Sequence, residues 1–407
     1  MSDYKTVIGT LPGFLKPRLR LFLSVDIVNS TAFKQKAMPT GWLRHGGSSG
    51  AKPQHEGAED WFLPIAGFYH ELERAFYAHW HRHATHAQKL GWAPGDPPEL
   101  WKAAGDELLF CKTLGDYWQA WTCVRALIDA VNDHREALRK QFHMLDLKAS
   151  AWLAGFPVNN VEIVVLSDRA KPENDETEGD PVLANFRLLE RIYSNKKKDQ
   201  LTRRYFRDFV GPSMDTGFRV AELSTARKMA ISTDLALMLA FTDIALHAKT
   251  SDHGVEPLEF HYDGRVPLKG VIDGAPYPFF WLDTATPESL FACEDRINGP
   301  KPVESTHAVK DFCENFLRDL GERHLPFIDG SSDAYFHPKS SFHASRLQSF
   351  SGYWKKGMDN SRQAEKAQLS DKGPDQGPEN ELTEQQRNER LNAIRATAVG
   401  ERGQEKN

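Results

Sequence analysis

Residues 19–28 (LRLFLSVDIV) limit the possible folds more than any other segment, because they form a short apolar run that ends beside a single acid. Ile, Leu, Val and Phe dominate this run, and its length and composition predict a buried β-strand. Such a strand delivers Asp26 to its C-terminal end. The residues that follow, Asn29, Ser30 and Thr31, are good turn and cap formers, so a tight turn leading into a helix is predicted.

Further along, the apolar spacing changes repeatedly between the periods of helices and strands. Helical spacing predicts helices over 64–87, 118–141 and 181–193. A β-hairpin is predicted over 100–111, with Gly105 and Asp106 at its turn. Further predictions are strands over 145–158 and 161–167, a basic turn, a Gly-Pro break and a helix over 201–229, a strand end and helix over 229–239, and two last strands over 259–271 and 277–283.

The remaining segments have the composition of loops and tails. Residues 39–64 are rich in Gly, Ser, His and Pro and predict a long mobile loop, and the acidic stretch 173–180 predicts a solvated one. Signals for regular structure weaken beyond 287, and 359–407 contain no aromatic residue. We therefore predict a catalytic domain over 15–286, an extension over 287–358, and a charged tail over 359–407 that is disordered or a lone helix.

Composition excludes several classes of protein. The 51 Lys and Arg residues against 56 Asp and Glu give a net charge of -5, so no global basic field is available to hold nucleic acid. The sequence begins with no secretory signal, and no apolar run approaches the ~20 residues of a membrane-spanning helix, so a cytoplasmic protein without membrane contact is predicted. The few cysteines are irregularly spaced and predict reduced, mostly buried thiols: Cys111, Cys123, Cys293 and Cys313.

Two aspartates stand where a metal could meet phosphates. Asp26 at a strand end is followed by a turn with free backbone N–H groups, and such turns hydrogen-bond phosphate oxygens. Asp106 at the hairpin tip supplies a second carboxylate. Carboxylate oxygens are the ligands that Mg²⁺ and Mn²⁺ prefer, so Asp106 could be the second carboxylate of a two-metal site, although each aspartate alone is more simply explained as a turn residue.

Five segments, in this order, resemble those of the class III nucleotidyl cyclases. They are LFLSVDIVNSTAFK (21–34), KAAGDELLF (102–110), DFVGPSMDTGFR (208–219), AISTDLA (230–236) and PLKGV (267–271). The resemblance covers 15–283. It implies an α+β, ferredoxin-type fold with an antiparallel-rich sheet and flanking helices, here followed by a C-terminal extension.

The resemblance also implies roles for individual residues. Two Mn²⁺ or Mg²⁺ ions would be held by Asp26, Asp106 and the carbonyl of Ile27, and Lys102 and Asp208 would read the base. The turn residues Asn29, Ser30 and Thr31 and the lysine of the fifth segment, Lys269, would bind the triphosphate.

The third segment would supply the remaining groups. Arg219 takes the position of the arginine that stabilises the transition state, and a planar, permanent cation suits the charge that builds on phosphoryl oxygens. Asp215 stands where the family has an Asn that positions the ribose, so this chain departs from the pattern there. A carboxylate can accept a hydrogen bond from a ribose hydroxyl, but it would repel a triphosphate placed close to it.

The long Gly-rich insertion and the unusual third segment are most similar to the bacterial pyrimidine cyclases of Pycsar antiphage defence. That resemblance implies a uridylate cyclase, a lyase that makes cUMP and diphosphate as a second messenger for a separate effector. It also implies a homodimer in which metal ligands from one subunit meet base-reading and arginine groups from the other.

Alternatives stay open at this point. Lys102 and Asp208 offer one donor and one acceptor, and adenine, cytosine and uracil can each satisfy such a pair, so hydrogen bonds alone do not choose the base. A pyrimidine would leave a ring-sized gap for Tyr205, Phe206 or Phe209 to fill, and UTP ranks ahead of CTP. A purine cyclase is the alternative enzyme, and a catalytically silent nucleotide-binding or sensing protein is the alternative from another class.

Three other patterns have plainer explanations. His79, His83 and His86 share one face of a predicted helix and could bind zinc, but a solvated histidine-rich face explains them as well. GGSSG (46–50) has the spacing of a serine-hydrolase nucleophile elbow without the strand and helix that must flank it. The basic residues around 196–207 fit a solvated loop, or cations beside a triphosphate, better than a nucleic-acid site.

Overall fold

The computed structural model describes residues 2–35, 61–166, 180–194, 205–249, 256–286, 289–299, 302–338 and 341–371. The strands are β1 (Arg18–Val28), β2 (Glu99–Ala104), β3 (Glu107–Leu114), β4 (Asp146–Phe156), β5 (Val161–Leu166), β6 (Tyr205–Val210), β7 (Lys228–Ile231), β8 (Phe260–Val266) and β9 (Tyr277–Asp283). The labelled helices are α1 (Ser2–Gly9), α2 (Phe62–Lys89), α3 (Trp118–Gln141), α4 (Pro181–Ser194), α5 (Pro212–Ala221), α6 (Thr233–Lys249), α7 (Leu290–Asn298), α8 (Thr306–Leu320) and α9 (Ser341–Asp371).

A seven-stranded sheet in the order β2-β3-β1-β4-β7-β9-β8 organises the described residues. Its neighbouring strands are antiparallel except β4 and β7, which run parallel. Strands β5 and β6 form a separate two-stranded ribbon. The predicted α+β class, with an antiparallel-rich sheet and flanking helices, is confirmed.

The two faces of β1 meet different surroundings, because successive side chains of a strand point to opposite faces. Leu21, Leu23 and Val25 point into the main core, which α2, α3, α6 and α8 cover. Phe22 points to the other face, where it packs with Trp152 of β4 and Phe209 of the β5–β6 ribbon. Ser24 and Asp26 continue along this second face, so it carries the chemistry of the candidate site.

Helix α5 lies on the second face at unusually close range. A Cβ atom added to Gly217 would come within 2.3 Å of the Trp152 indole, which is fully buried. Only a glycine permits this approach. The contact therefore fixes the position of α5 over β4.

Most of the predicted elements are confirmed, with ends shifted by a few residues. The exception is 201–229, where the sequence predicts a basic turn but the structure has strand β6, Tyr205–Val210. The strand pairs along its whole length with β5, and exposed side chains alternate with half-buried or buried ones. Arg207 and Asp208 interrupt its apolar pattern, so periodicity alone does not reveal it.

Beyond the last strand, helices continue to Asp371. The chain divides into one unit over Met1–Gly352 and a second over Tyr353–Asn407. Within the first unit, α8 buries Val309, Cys313 and Leu317 in the main core. The predicted glycine-rich and acidic loops and most of the charged tail lie outside the described residues. No helix in the described ranges combines the length and apolar character needed to cross a membrane.

Candidate functional site

The two carboxylates among the predicted metal ligands come together at one end of the sheet. Asp26 lies near the end of β1, opposite Glu107 of β3, and Asp106 occupies the β2–β3 turn, where Gly105 has a positive φ of 70°. The backbone N–H of Ile27 donates to the Asp106 carbonyl at 3.1 Å, which ties the turn to the end of β1. Local turn chemistry and strand pairing thus place both carboxylates side by side.

Each of these two carboxylates is paired with a lysine. Asp26 Oδ2 lies 3.0 Å from the Lys148 ammonium of β4, and Asp106 Oδ2 lies 3.9 Å from that of Lys34. The hydroxyl of Ser30 also donates to Asp106. Burial raises the pKa of Asp26 above its ordinary value, Lys148 opposes the rise, and the charge of Asp106 adds to it.

A third carboxylate, which the sequence did not single out, stands beside this pair. Glu107 Oε1 accepts a hydrogen bond from Ser24 at 2.5 Å. Burial raises its pKa, the Ser24 hydrogen bond lowers it, and the neighbouring Asp26 charge raises it. The sequence shows that an acid directly follows Asp106, but only the strand register shows that this acid, Glu107, lies opposite Asp26.

An open cleft of about 240 Å³ lies against these groups, between β1, β3, β4 and the C-terminal end of α5. The side chains that line it are mainly polar: Ser24, Asp26, Glu107, Lys148, Ala149, Ser150, Phe218, Ala221, Glu222 and Ser224. A cleft with carboxylates on one wall and an open mouth suits a charged ligand better than an apolar one.

The donor atoms at the end of β1 fit a hard divalent cation. Asp26 and Asp106 supply carboxylate oxygens, and the Ser30 hydroxyl and nearby main-chain carbonyls supply neutral ones, which is the oxygen set that Mg²⁺ and Mn²⁺ prefer. In the described ranges, no group of three or more His, Cys, Asp or Glu side chains is already arranged to hold a metal. A cation here would therefore complete its coordination with water or phosphate oxygens, as Mg²⁺ commonly does.

The two predicted base-reading residues are also neighbours. Lys102 Nζ of β2 lies 3.4 Å from Asp208 Oδ1 of β6, and both side chains are exposed. Lys102 also sits 4.3 Å above the Trp101 ring, whose Nε1 donates to the Arg207 carbonyl at 3.1 Å. The pair thus bridges the main sheet and the ribbon on the face that carries Asp26.

A buried ionic network that the sequence did not reveal holds the ribbon to the sheet. Arg20 of β1 is 2% exposed and contacts Glu162 of β5 at 3.2 Å and the Tyr193 hydroxyl at 2.8 Å. Arg207 contacts the other Glu162 oxygen at 2.5 Å. Burial alone would raise the pKa of Glu162, but Arg20 and Arg207 together hold it below its ordinary value. Because Arg207 precedes Asp208, this network fixes the backbone that presents Asp208.

The aromatic candidates for filling the base pocket differ in how far their side chains are exposed. Phe209 is 3% exposed and packs against Phe22 and Trp101, so it belongs to the core. Phe206 is 82% exposed. It lies two residues before Asp208, so both side chains share one face of the ribbon.

Asp215 and Arg219 are one helical turn apart on α5, so their side chains lie on the same side of the helix. Asp215 is in the first turn, and its backbone N–H donates to the Gly211 carbonyl at 3.0 Å. Arg219 is exposed and pairs with Glu222 at 2.6 Å. Glu222 is among the described residues that line the cleft, and Arg219 is not.

The predicted phosphate-binding groups lie in two places. Asn29 has a positive φ of 66°, its side-chain amide donates to the Met144 carbonyl at 3.1 Å, and a helical segment over 30–35 that includes Ser30 and Thr31 follows it. Lys269 is exposed in the turn between β8 and β9, at the opposite end of the sheet from Asp26. The described part of one chain therefore does not bring Lys269 to the cleft.

The histidine face of α2 has structural partners on α3. His79 Nε2 lies 2.7 Å from Asp133, and His83 Nε2 lies 2.8 Å from Asp129. Within the described ranges, neither pair belongs to a group of three or more His, Cys, Asp or Glu side chains that could hold a metal. They connect the two helices that cover the core.

The sequence matches no protein-family model and no curated protein. Solved structures with a similar arrangement include the adenylyl cyclase CyaB from P. aeruginosa, with 13% identity, a TM-score of 0.36, and coverage of 65% of this chain and 94% of that one. The guanylate cyclase domain of RhGC from Catenaria anguillulae, in complex with GTP, has 12% identity, a TM-score of 0.31, and coverage of 66% and 97%. An adenylate/guanylate cyclase/hydrolase from Silicibacter pomeroyi has 12% identity, a TM-score of 0.30, and coverage of 67% and 99%.

Proposed function

We propose that this chain is a nucleotidyl cyclase, a phosphorus-oxygen lyase that converts a pyrimidine nucleoside triphosphate, UTP ahead of CTP, into its 3',5'-cyclic monophosphate and diphosphate. One observation carries the proposal: Asp26 and Asp106 meet beside an open cleft, on the sheet face that also carries Lys102, and Lys102 pairs with Asp208 of the ribbon. The resemblance of five sequence segments to class III cyclases supports it, because those segments contain these same residues.

The reaction asks the ribose 3'-oxygen to attack the α-phosphorus in line while diphosphate leaves. Bound divalent cations would activate the attacking oxygen and neutralise triphosphate charge. On this proposal Asp26, Asp106 and the Ile27 carbonyl hold two Mn²⁺ or Mg²⁺ ions. Arg219 binds the phosphoryl oxygens as their charge builds, and Asp215 accepts a hydrogen bond from the ribose.

Binding and base selection fall to other residues. The amides of Asn29, Ser30 and Thr31 and the ammonium of Lys269 contact the triphosphate, and Lys102 and Asp208 read the base edge. The exposed ring of Phe206 lies on the same ribbon face as Asp208 and is the candidate for filling the space that a pyrimidine leaves.

The cellular role follows from the resemblance to Pycsar cyclases. The catalytic domain over 15–286 would act in the cytoplasm as a homodimer with sites at the subunit interface. Its cyclic pyrimidine nucleotide, cUMP in the first instance, would be sensed by a separate effector during antiphage defence.

The direct test is incubation with each labelled nucleoside triphosphate and Mn²⁺, followed by identification of the cyclic product. We expect product from UTP or CTP, and its loss in Asp106→Asn. Asp311→Asn, which neutralises an exposed carboxylate on α8, is the matched control and should keep full activity. Product from ATP or GTP alone would make the chain a purine cyclase. No product from folded protein would make it a silent nucleotide-binding protein.

The shared site has a test of its own. Asp26→Ala and Arg219→Ala should each abolish activity, and mixing them should restore part of it, because a mixed dimer contains one site with both wild-type groups. A mixture that stays inactive although the two variants form mixed dimers would contradict interface sites while leaving cyclase activity possible.

A further inference from the structure

Tyr69 of α2 has a hydrogen-bond partner in the turn that carries Asp106. Its hydroxyl donates to the Gly105 carbonyl at 2.7 Å. This carbonyl belongs to the peptide unit that joins Gly105 to Asp106, and the atoms of a peptide unit move together as one plane. The hydrogen bond from α2 therefore restrains the plane that leads directly into Asp106.

The position and composition of the turn explain why such a restraint matters. Strand β2 is at the edge of the sheet, and its side chains are mostly exposed, so packing contributes little to holding it. Gly105, with its φ of 70°, has no side chain to limit rotation of the neighbouring peptide planes. The turn is instead bound from two elements: the Asp106 carbonyl accepts from Ile27 of β1 at 3.1 Å, and the Gly105 carbonyl accepts from Tyr69 of α2.

Tyr69 is itself held in place by the core. Phe68 and Leu72, its neighbours on α2, are fully buried, and the Tyr69 ring packs against the main core. The ring centroids of Tyr69 and Phe68 lie 6.2 Å apart in an edge-to-face arrangement. A tyrosine ring packed in this way has few rotamers available, so its hydroxyl occupies a defined position relative to the turn.

We propose that Tyr69 is a positioning residue for the metal site. It acts through Asp106: by holding the peptide plane between Gly105 and Asp106, it keeps the Asp106 carboxylate beside that of Asp26. This inference rests on the proposed function, in which both carboxylates are metal ligands.

Tyr69→Phe tests this hydrogen bond alone, because the variant loses the hydroxyl and keeps the packed ring on which the fold depends. Mn²⁺ should bind nucleotide-free protein about two- to tenfold more weakly, the range that one hydrogen bond contributes. Half-maximal cyclase activity should require more Mn²⁺, whereas kcat at saturating Mn²⁺ should stay near the wild-type value. A residue that only supported the fold would lower the rate at every Mn²⁺ concentration without changing the Mn²⁺ requirement.

The experiment has two readouts that need no turnover. Free Mn²⁺ is quantified by electron paramagnetic resonance over nucleotide-free protein, and amide hydrogen exchange is measured on the metal-free protein. The amides of the β2–β3 turn should exchange faster in Tyr69→Phe, because the turn opens more often. Tyr262→Phe is the matched control, since it removes a hydroxyl from β8 at the opposite edge of the sheet and should change neither readout.

The outcomes separate this inference from the proposed function. Weaker Mn²⁺ binding together with faster exchange in the turn supports it. A Mn²⁺ affinity equal to that of the wild type overturns it, and so does a fall in Tm and kcat with an unchanged Mn²⁺ requirement. Wild-type protein that binds Mn²⁺ but cyclises no nucleotide would sink the proposed function and leave the effect of Tyr69→Phe on Mn²⁺ affinity measurable. Wild-type protein that binds no Mn²⁺ would overturn the metal site and this inference with it.

Discussion

Replacing Gly217 by Ala tests whether the close packing of α5 on β4 positions the side chains of Asp215 and Arg219. The added Cβ would lie 2.3 Å from the Trp152 indole, whereas ordinary contacts begin near 3.4 Å, so α5 has to retreat by about 1.1 Å (3.4 − 2.3). Trp152 cannot yield, because it is fully buried and stacked on Phe22, with ring centroids 5.7 Å apart. The retreat moves Asp215 and Arg219 with the helix.

Two measurable effects follow from this displacement. Overpacking of this kind costs about 1–3 kcal/mol of unfolding free energy, which corresponds to a fall in Tm of about 2–10 °C. A misplacement of about 1 Å at reacting groups can cost on the order of 100-fold in turnover. Thermal melts and cyclase assays well below Tm measure the two effects separately.

Gly67 provides a matched control on α2. A Cβ at Gly67 meets no atom within 4 Å, so Gly67→Ala should raise stability by about 1 kcal/mol through helix propensity and leave turnover unchanged. If Gly217→Ala were as stable and as active as wild type, the close packing of α5 would be wrong. Lower stability with full turnover would leave the packing correct and refute the positioning of Asp215 and Arg219.

Three further predictions concern other parts of the chain. Glu162→Gln leaves the cations of Arg20 and Arg207 without their shared carboxylate and should destabilise the fold by about 3–5 kcal/mol; because the folded-state pKa of Glu162 is lowered from 4.5, the difference in unfolding free energy from wild type should shrink as pH falls below 4.5 in denaturant titrations. Asp208→Asn adds a donor to an acceptor-only position and should change the ratios of kcat/KM among the four nucleoside triphosphates, whereas unchanged ratios would contradict base reading. A thiol reagent should modify Cys293 rapidly in native protein. It should modify the buried Cys111, Cys123 and Cys313 only after unfolding, because burial raises the pKa values of these thiols and blocks access to them. Rapid reaction of more than one thiol would refute this burial.

The end of β1 could be predicted because each of its signals is local. An apolar run of strand length, a cap-forming turn, and Gly105-Asp106 between two short apolar arms each specify their own conformation. Strand pairing then has few choices, and it brings Asp26 to Asp106. The apolar spacing of α3 is a local signal as well: it predicts a helix over 118–141, and the helix begins and ends at those residues.

What could not be predicted depends on partners that are distant in sequence. Arg20 interrupts an apolar strand, and its acid partner, Glu162, lies 142 residues away. Strand β6 has a mixed polar pattern and forms because β5 pairs with it. The pairing of Lys148 with Asp26 likewise depends on the β1–β4 register, which the sequence leaves open.

The position of Lys269 bears on how many chains build one site. Asp26 lies at the end of the sheet where β7 begins, whereas the β8–β9 turn that carries Lys269 lies at the end where β7 stops. If Lys269 binds the triphosphate held at Asp26, a second copy of the chain must supply it. Lys269→Ala should then lose activity and regain part of it when mixed with Asp26→Ala, as judged by cyclic product per dimer. Full activity of Lys269→Ala alone would remove this residue from the site and with it this argument for a composite one.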